Sequence, residues 1–192
     1  GEQIVWAESN AVVYANSVLG ARTLKYPDYL DICIALTGRA PRSGSHLDEG
    51  RHASLLIEVE TPQQADDSFW PLLGYHVGLL AGSDIPLLCG LERSAADSDA
   101  LKAFGAAFAT TSAAPMFHIA GVTPEAPDVA SALGGQAPTR QLRVSPADLL
   151  DSWWELNGAD SAEVSLVALG NPHCSATELA RLAELCAGRQ RH

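Results

Sequence analysis

Short apolar runs alternate with longer amphipathic stretches from residue 53 onward. Apolar runs bounded by turn residues are typical of buried strands, and apolar residues at helical spacing are typical of helices that pack against a sheet. The runs predict strands over 54–60, 86–90, 116–121, 140–144 and 164–169. The amphipathic stretches predict helices over 68–81, 98–112, 146–157 and 176–187, with 127–138 as a connection or a short helix.

The alternation of strands and helices indicates βαβ units, so we expect an α/β fold with a mainly parallel sheet and helices on both faces. The first fifty residues have a different pattern. Helical spacing covers 8–20 and 28–38, where Gly38 is a typical helix end, and a polar loop follows over 37–52. We therefore divide the chain into a helical and loop segment, 1–52, that contributes to the site, and an α/β domain, 53–192.

The composition argues against several kinds of partner and several classes of protein. The net charge of −11 argues against a partner that is a nucleic acid or an acidic membrane surface. No run is apolar and long enough to span a membrane, and the start has no signal-peptide pattern. Four cysteines far apart, without a CxxC pair, argue against a zinc ribbon and a disulfide framework and favour the cytoplasm. A start without Met, at Gly1, predicts that this is part of a larger protein.

The sequence GNPHCS at 170–175 is the strongest candidate for chemistry. It follows an apolar run and precedes a capping-box pattern, Ser175 with Glu178, that starts a helix. Cys174 is therefore expected at the positive end of a helix dipole, which lowers a thiol pKa. A thiolate there could be a nucleophile, a metal ligand or neither. Side chains of adjacent residues diverge, so metal ligation is more plausible than a nucleophile pair of Cys174 with His173.

Polar residues near the start of the chain form a second candidate group. Ser9, Asn16 and Thr23 are spaced by seven and share a helix face, with Asn10 and Ser17 in a neighbouring stripe. The stripe is either a solvated face with an N-cap or part of a site.

Basic residues cluster around the polar loop, at Arg22, Lys25, Arg39, Arg42 and Arg51. In an acidic protein this clustering suggests a bound carboxylate or phosphate. The alternative is a set of surface arginines that pair with nearby acidic residues, Asp28, Asp31, Asp48 and Glu49. His118, inside an apolar strand pattern, is expected to be a buried structural histidine more than a catalytic one.

Several of these segments, in this order, resemble the catalytic (large-subunit) part of aconitase X, a hydro-lyase branch of the aconitase superfamily. The resemblance rests on GEQIVWAES at 1–9, NSVLGART at 16–23, TGRAP at 37–41, GSHL at 44–47, FHIAGVTPE at 117–125 and GNPHCS at 170–175. Together they extend over nearly the whole chain. The resemblance implies an aconitase-like α/β/α fold and an iron–sulfur dehydratase, in which an iron activates the leaving hydroxyl and a base removes a proton beside the substrate carboxylate.

The resemblance also implies substrates and site residues. Bacterial members dehydrate cis-3-hydroxy-L-proline to Δ1-pyrroline-2-carboxylate, and archaeal relatives dehydrate mevalonate 5-phosphate. By this likeness Cys174 is one cluster ligand, and the other ligands lie outside the segment. The implied catalytic residues are Glu8, Ser9 and His173, and a group from outside the segment is an equal candidate for the base. The implied substrate-binding residues are Asn16, Ser17, Arg22 and His46, and Arg39 is the alternative to Arg22 for holding the substrate carboxylate.

The family pattern contains parts that this chain lacks. It has a cysteine before the position of Gly1 and another after His192, and a small swivelling domain or subunit that closes over the site. We therefore expect this segment alone to bind a cluster poorly. The leading hypothesis is a dehydratase for cis-3-hydroxy-L-proline, the second is the same chemistry on mevalonate 5-phosphate, and the third is a truncated subunit piece without catalysis.

Overall fold

The computed structural model describes residues 9–62, 65–92, 94, 96–159, 161–167 and 174–188. It divides into two units at the boundary between Asn157 and Gly158. The helices of the first unit are α1 (Ser9–Ser17), α2 (Asp28–Thr37), α3 (Phe69–Ala81), α4 (Ser98–Thr111), α5 (Val129–Ala132) and α6 (Pro146–Leu156). Its strands are β1 (Leu55–Val59), β2 (Pro86–Cys89), β3 (His118–Ile119) and β4 (Arg140–Val144), and two 3-10 turns cover Gly44–His46 and Glu49–Arg51.

The four strands form one parallel sheet in the order β3-β2-β1-β4. In β1, Leu55 pairs with Pro86 on one side and with Arg140 on the other. Each crossover between parallel neighbours contains a helix, as the alternating sequence pattern requires. The prediction of an α/β fold with a mainly parallel sheet, preceded by a helical segment, is confirmed.

The two faces of the sheet are covered unequally. Side chains alternate along a strand, so Ile57 and Leu88 point to one face and Leu87 to the other. The first face packs against α1, α3, α4 and α6 in a core that contains the aromatic rings of Phe104 and Phe117, 4.6 Å apart. The second face is covered by the short α5 and adjoining loops through a smaller cluster of apolar residues.

The helix layer is tightest between α3 and α4. A Cβ atom added at Gly74 of α3 would lie 2.3 Å from the carbonyl oxygen of Phe104 in α4, so the backbones of the two helices meet there. Helix α1 packs against α4 in turn. The layer therefore supports the C-terminal end of α1, which enters the candidate site.

The predicted end of α2 is also observed. Gly38 follows the helix in the left-handed conformation, with φ of 63°, and its N–H donates to the carbonyl of Ile34. Glycine adopts this conformation without the steric cost that a Cβ atom brings.

One predicted strand is wrong. Residues 164–167 of the run at 164–169 form no strand, and residues 168 and 169 lie outside the described residues. A strand needs a hydrogen-bonded neighbour, and an apolar run does not reveal whether one is present. The following helix, α7 (Ala176–Cys186), is confirmed with its capping box between Ser175 and Glu178. Over the described ranges, no helix combines the length and apolarity needed to cross a membrane.

Candidate active site

A cavity of about 430 Å³ lies in the first unit beside α5. It is reached by three segments that are distant in sequence: the turn after α1, the loop between α2 and β1, and the turn after β3. Its charged and titratable lining residues are Arg22, Asp48, Arg51, His52, His118 and Glu125. Two guanidinium groups and two carboxylates face the same space, so their formal charges cancel.

Arg51 is the central side chain of this site and is 2% exposed. Its Nε and Nη2 donate to the two carboxylate oxygens of Glu125 at 2.7 and 2.6 Å. Nη2 also donates to the carbonyl of Asn16 at 2.9 Å. Nη1 donates to the carbonyl of Ser45 at 2.8 Å and to Oδ1 of Asn16 at 3.4 Å. All five N–H donors of the guanidinium are therefore used by protein groups.

Arg22 is placed differently. Its side chain is 18% exposed and forms an ion pair with Asp48, whose own side chain is 81% exposed. Its Nη1 donates to the carbonyl of His46 at 2.8 Å. The hydrogen bond and charge of Arg22 hold the pKa of Asp48 below its usual range. Arg22 thus faces the cavity with N–H donors that no described residue uses.

His46 is buried beside Tyr26. The two rings are stacked, with centroids 5.8 Å apart, and Nε2 of His46 is hydrogen-bonded to the Tyr26 hydroxyl. Burial, with the charges of Arg22 and Arg51, lowers the pKa of His46, so the ring is neutral at pH 7. Burial, with the charge of Asp31, raises the pKa of Tyr26 to about 12.

The polar stripe of α1 is not a solvated face, because Asn16 and Ser17 are buried. The Nδ2 group of Asn16 donates to the carbonyls of Thr23 and Pro115, and its Oδ1 accepts from the N–H of Thr23, each at 3.0 Å. Ser17 Oγ accepts from the N–H of Phe117 at 2.9 Å. Both side chains join α1 to neighbouring loops, and the hydrogen-bonding capacity of the Asn16 amide is filled within the protein.

His118 is buried at the start of β3, as the sequence suggests for a structural histidine. Its Nε2 lies 2.7 Å from the carbonyl oxygen of Arg51, so Nε2 carries the proton. Burial lowers the pKa of His118 and keeps the ring neutral. Its Nδ1 is a buried acceptor without a partner among the described residues.

The remaining predicted site residues are Arg39, Glu8, Ser9, His173 and Cys174. Arg39 is exposed and is not among the residues that line the cavity. Glu8, the side chain of Ser9, and His173 lie outside the described residues. Cys174 belongs to the second unit, where it is half-buried and directly precedes Ser175, the N-cap of α7.

Donor chemistry decides whether the described residues could hold an iron–sulfur cluster. Iron–sulfur clusters need several thiolate ligands. Within the described part of the chain, no three His, Cys, Asp or Glu side chains come together as a metal site. Cys174 offers one thiolate at a helix start, and the residues present therefore do not by themselves fit a complete cluster.

Sequence reasoning missed the central role of Arg51 and its partner Glu125. Arg51 was one of five clustered basic residues, and its expected partners were acidic residues of the same region. The observed partner lies 74 residues away, in the turn after β3. No spacing rule connects positions so far apart, although Glu125 does belong to the segment FHIAGVTPE at 117–125 that contributes to the family resemblance.

Two family models match this chain. Residues 1–49 match the model of the aconitase X first domain, and residues 53–154 match that of the aconitase X second domain. The crystal structure of Thermococcus kodakaraensis aconitase X in its holo-form superimposes with a TM-score of 0.80 at 32% identity, and covers 95% of this chain and 45% of that one.

Two curated relatives are cis-3-hydroxy-L-proline dehydratases, from Pseudomonas aeruginosa and Hypocrea jecorina. Their sequences are 63% and 58% identical to this chain, and each match covers 100% of it. The phosphomevalonate dehydratase large subunit of Methanothermobacter thermautotrophicus is 38% identical over 95% of it. The chain spans 33% of the length of the first two relatives and 44% of the third.

Proposed function

We propose that this chain, which belongs to the aconitase X family, forms part of a hydro-lyase that removes water from cis-3-hydroxy-L-proline to give Δ1-pyrroline-2-carboxylate. Its identity to two cis-3-hydroxy-L-proline dehydratases, 63% and 58%, supports this assignment over the phosphomevalonate reaction, whose large subunit is 38% identical. Because these relatives are much longer than the chain, the activity is that of the whole protein.

The balanced charge of the cavity is the structural observation that carries the choice of substrate. Cis-3-hydroxy-L-proline is a zwitterion, with one carboxylate and one ring ammonium group. Mevalonate 5-phosphate has a carboxylate and a phosphate group of charge about −1.5 to −2. The two guanidiniums and two carboxylates around the cavity match a neutral zwitterion better than a multiply charged anion.

Arg22 is the residue that we assign to the substrate carboxylate. Its guanidinium faces the cavity with donors to spare, whereas the exposed Arg39 does not line it. A guanidinium can bind a carboxylate through two parallel hydrogen bonds. The carbonyl that accepts from Arg22 belongs to His46, whose side chain is buried.

The remaining parts of the reaction are assigned to Cys174 and to groups outside the described residues. An iron–sulfur cluster, held together with ligands from the rest of the protein, would supply Lewis-acid chemistry for the leaving hydroxyl. Cys174 is proposed as one of its ligands, and Glu8, Ser9 and His173 as residues near the reacting atoms. A small swivelling domain or subunit completes the site, which agrees with the naming of the archaeal relatives as large subunits.

Turnover by the full-length, iron-loaded protein tests the proposal. The ene product of cis-3-hydroxy-L-proline absorbs in the ultraviolet or is trapped by a carbonyl reagent, and mevalonate 5-phosphate is assayed in parallel. We expect turnover of the hydroxyproline alone. Turnover of only the phosphorylated acid, or of neither compound, would contradict the assignment.

Paired arginine variants test the carboxylate contact. Arg22→Gln removes the guanidinium from the cavity, so we expect KM for cis-3-hydroxy-L-proline to rise about tenfold or more, because a charge-assisted contact is lost. Arg140→Gln is the matched control, since Arg140 forms an exposed ion pair with Asp84, also an Arg–Asp pair, away from the cavity. An equal effect of both changes would refute a specific role for Arg22.

Iron content tests the role of Cys174 independently of turnover. Cys174→Ser replaces the thiolate by a poor iron ligand, so the purified full-length protein should hold less iron and lose colour. Cys186→Ser, in the exposed part of α7, is the control. Unchanged iron in the Cys174 variant would favour a structural cysteine and the non-catalytic alternative.

A further inference from the structure

Two arginines hold consecutive carbonyl groups of the loop between α2 and β1. Nη1 of Arg51 donates to the carbonyl of Ser45, and Nη1 of Arg22 donates to the carbonyl of His46, both at 2.8 Å. Both arginines line the cavity, but only Arg51 is buried. A shift of this short stretch of backbone would therefore move one hydrogen-bond acceptor of each guanidinium.

The two arginines differ in the number of N–H donors that remain available to a ligand. Arg51 has used all five N–H groups on Glu125, Asn16 and Ser45. A sixth hydrogen bond to a substrate would require breaking one of these in a buried place, where an unmade bond is costly. Arg51 is therefore excluded as a substrate ligand in this arrangement, even though it faces the cavity.

We propose that Arg51, oriented by Glu125, is a positioning residue that sets the location of Arg22 in the substrate pocket. This inference rests on the proposed function, because it gives Arg22 the substrate carboxylate. The path runs from the Arg51 guanidinium to the carbonyl of Ser45, through the next peptide to the carbonyl of His46, and from there to Nη1 of Arg22.

The shape of the guanidinium explains why an arginine occupies this position. Its planar fork contacts three segments at once: the end of α1 at Asn16, the loop at Ser45 and the turn after β3 at Glu125. A lysine has the same charge but a single nitrogen with three donors, and it cannot reach three directions in one plane. Glu125 accepts through both oxygens, which fixes the plane of the fork.

Steady-state kinetics of the full-length, iron-loaded Arg51→Lys protein are the first test. A displaced Arg22 binds the carboxylate less well, so we expect KM for cis-3-hydroxy-L-proline to rise about tenfold, with kcat changed much less. A merely structural role would lower the active fraction, and hence kcat, at unchanged KM, and that result would overturn the proposal. Arg143→Lys is the matched control, since Arg143 pairs with Glu60 on an exposed part of β4.

A second variant keeps the test usable if Arg51→Lys does not fold. Glu125→Gln leaves the three hydrogen bonds of Arg51 with Asn16 and Ser45 in place and removes only the carboxylate charge that Arg51 pairs with. Glu125 is 32% exposed, so the change is milder. We expect the same rise in KM to a smaller degree, and a KM equal to that of the wild type in a folded Glu125→Gln protein would overturn the proposal.

Hydrogen–deuterium exchange separates this inference from the proposed function. In both variants the amides of 44–51 should exchange faster than in the wild type, whatever the substrate is, while those of β1 should not change. A wild-type protein that does not turn over cis-3-hydroxy-L-proline would count against the proposed function, and the exchange result would then decide the role of Arg51. Unchanged exchange over 44–51 would refute it.

Discussion

The contact between α3 and α4 leads to a prediction in which the same substitution has opposite effects at two glycines. Gly74→Ala would place a Cβ atom 2.3 Å from the carbonyl oxygen of Phe104, whereas an ordinary contact begins near 3.4 Å. The backbones must therefore separate by about 1 Å. Gly105, the next residue after Phe104, has room instead, because its added Cβ would lie 3.5 Å from Cε1 of Phe117 and 3.8 Å from Cγ1 of Val13.

The magnitudes follow from the two geometries. Forcing an extra methyl group into a packed contact costs about 1–3 kcal/mol, and the gain in helix propensity from Gly to Ala returns at most about 1 kcal/mol. Because the clash is between backbones, we take the upper end of that range, about 3 kcal/mol, and subtract the gain of about 1 kcal/mol, so Gly74→Ala should destabilise the helix layer by about 2 kcal/mol. Gly105→Ala keeps the propensity gain without the clash, and should stabilise by about 0.5–1 kcal/mol.

Hydrogen–deuterium exchange of the α3 and α4 amides in the full-length protein measures both effects locally. A loss of 2 kcal/mol corresponds to about 30-fold faster exchange, and Gly105→Ala should slow exchange about two- to fivefold. Exchange in Gly74→Ala that is no faster than in the wild type would refute the backbone-to-backbone contact. Because α1 packs on α4, we also expect faster exchange at the end of α1 in the Gly74 variant.

Periodicity predicted most elements of the first unit because each has a strong local signal. The strand at Arg140–Val144 agrees residue for residue, and Gly38 ends α2 as expected. The expected strand at 116–121 shortens to two residues because the turn that contains Gly121 and Thr123 starts directly after it. The run at 164–169 shows the limit of local patterns, because a strand needs a hydrogen-bonded neighbour and the run itself does not show whether one is present.

The site was less accessible to sequence reasoning than the fold. Residue types indicated which side chains could bind a substrate, but not which of them already use their hydrogen-bonding groups within the protein. Asn16 has the right chemistry for a substrate and uses it on Thr23 and Pro115. Arg22 and Arg39 were equivalent by composition, and only the folded structure separates the one at the cavity from the exposed one. The division of the chain after residue 52 stays a prediction.

Three further predictions concern pH, a helix cap and the active-site loop. Burial lowers the folded-state pKa of His118 below its ordinary value of 6.5, so unfolding takes up a proton and the free energy of unfolding falls as the pH drops below about 6.5. Thermal unfolding measured from pH 7.5 to 5.5 should therefore show a smaller loss of stability in His118→Gln than in the wild type. Ser175→Ala removes the N-cap of α7 and should cost about 1 kcal/mol, seen as about fivefold faster amide exchange in that helix. Gly50→Ala places a Cβ atom 2.1 Å from the carbonyl oxygen of Gly44, and should open the loop over 44–51 and speed its exchange.

The Arg51–Glu125 pair is better explained by geometry than by stability. Burying an arginine costs solvation energy that its ion pair only partly recovers, and apolar replacements of buried pairs are often as stable. Stability alone therefore gives no reason to place a charge under the cavity. Five directed hydrogen bonds do give one, because they fix three segments, at the backbone of Asn16 and Ser45 and the carboxylate of Glu125, against a single rigid plane. The carbonyl that accepts from Arg22 belongs to one of these segments, so the buried Arg51 determines where the half-buried Arg22 can bind a ligand.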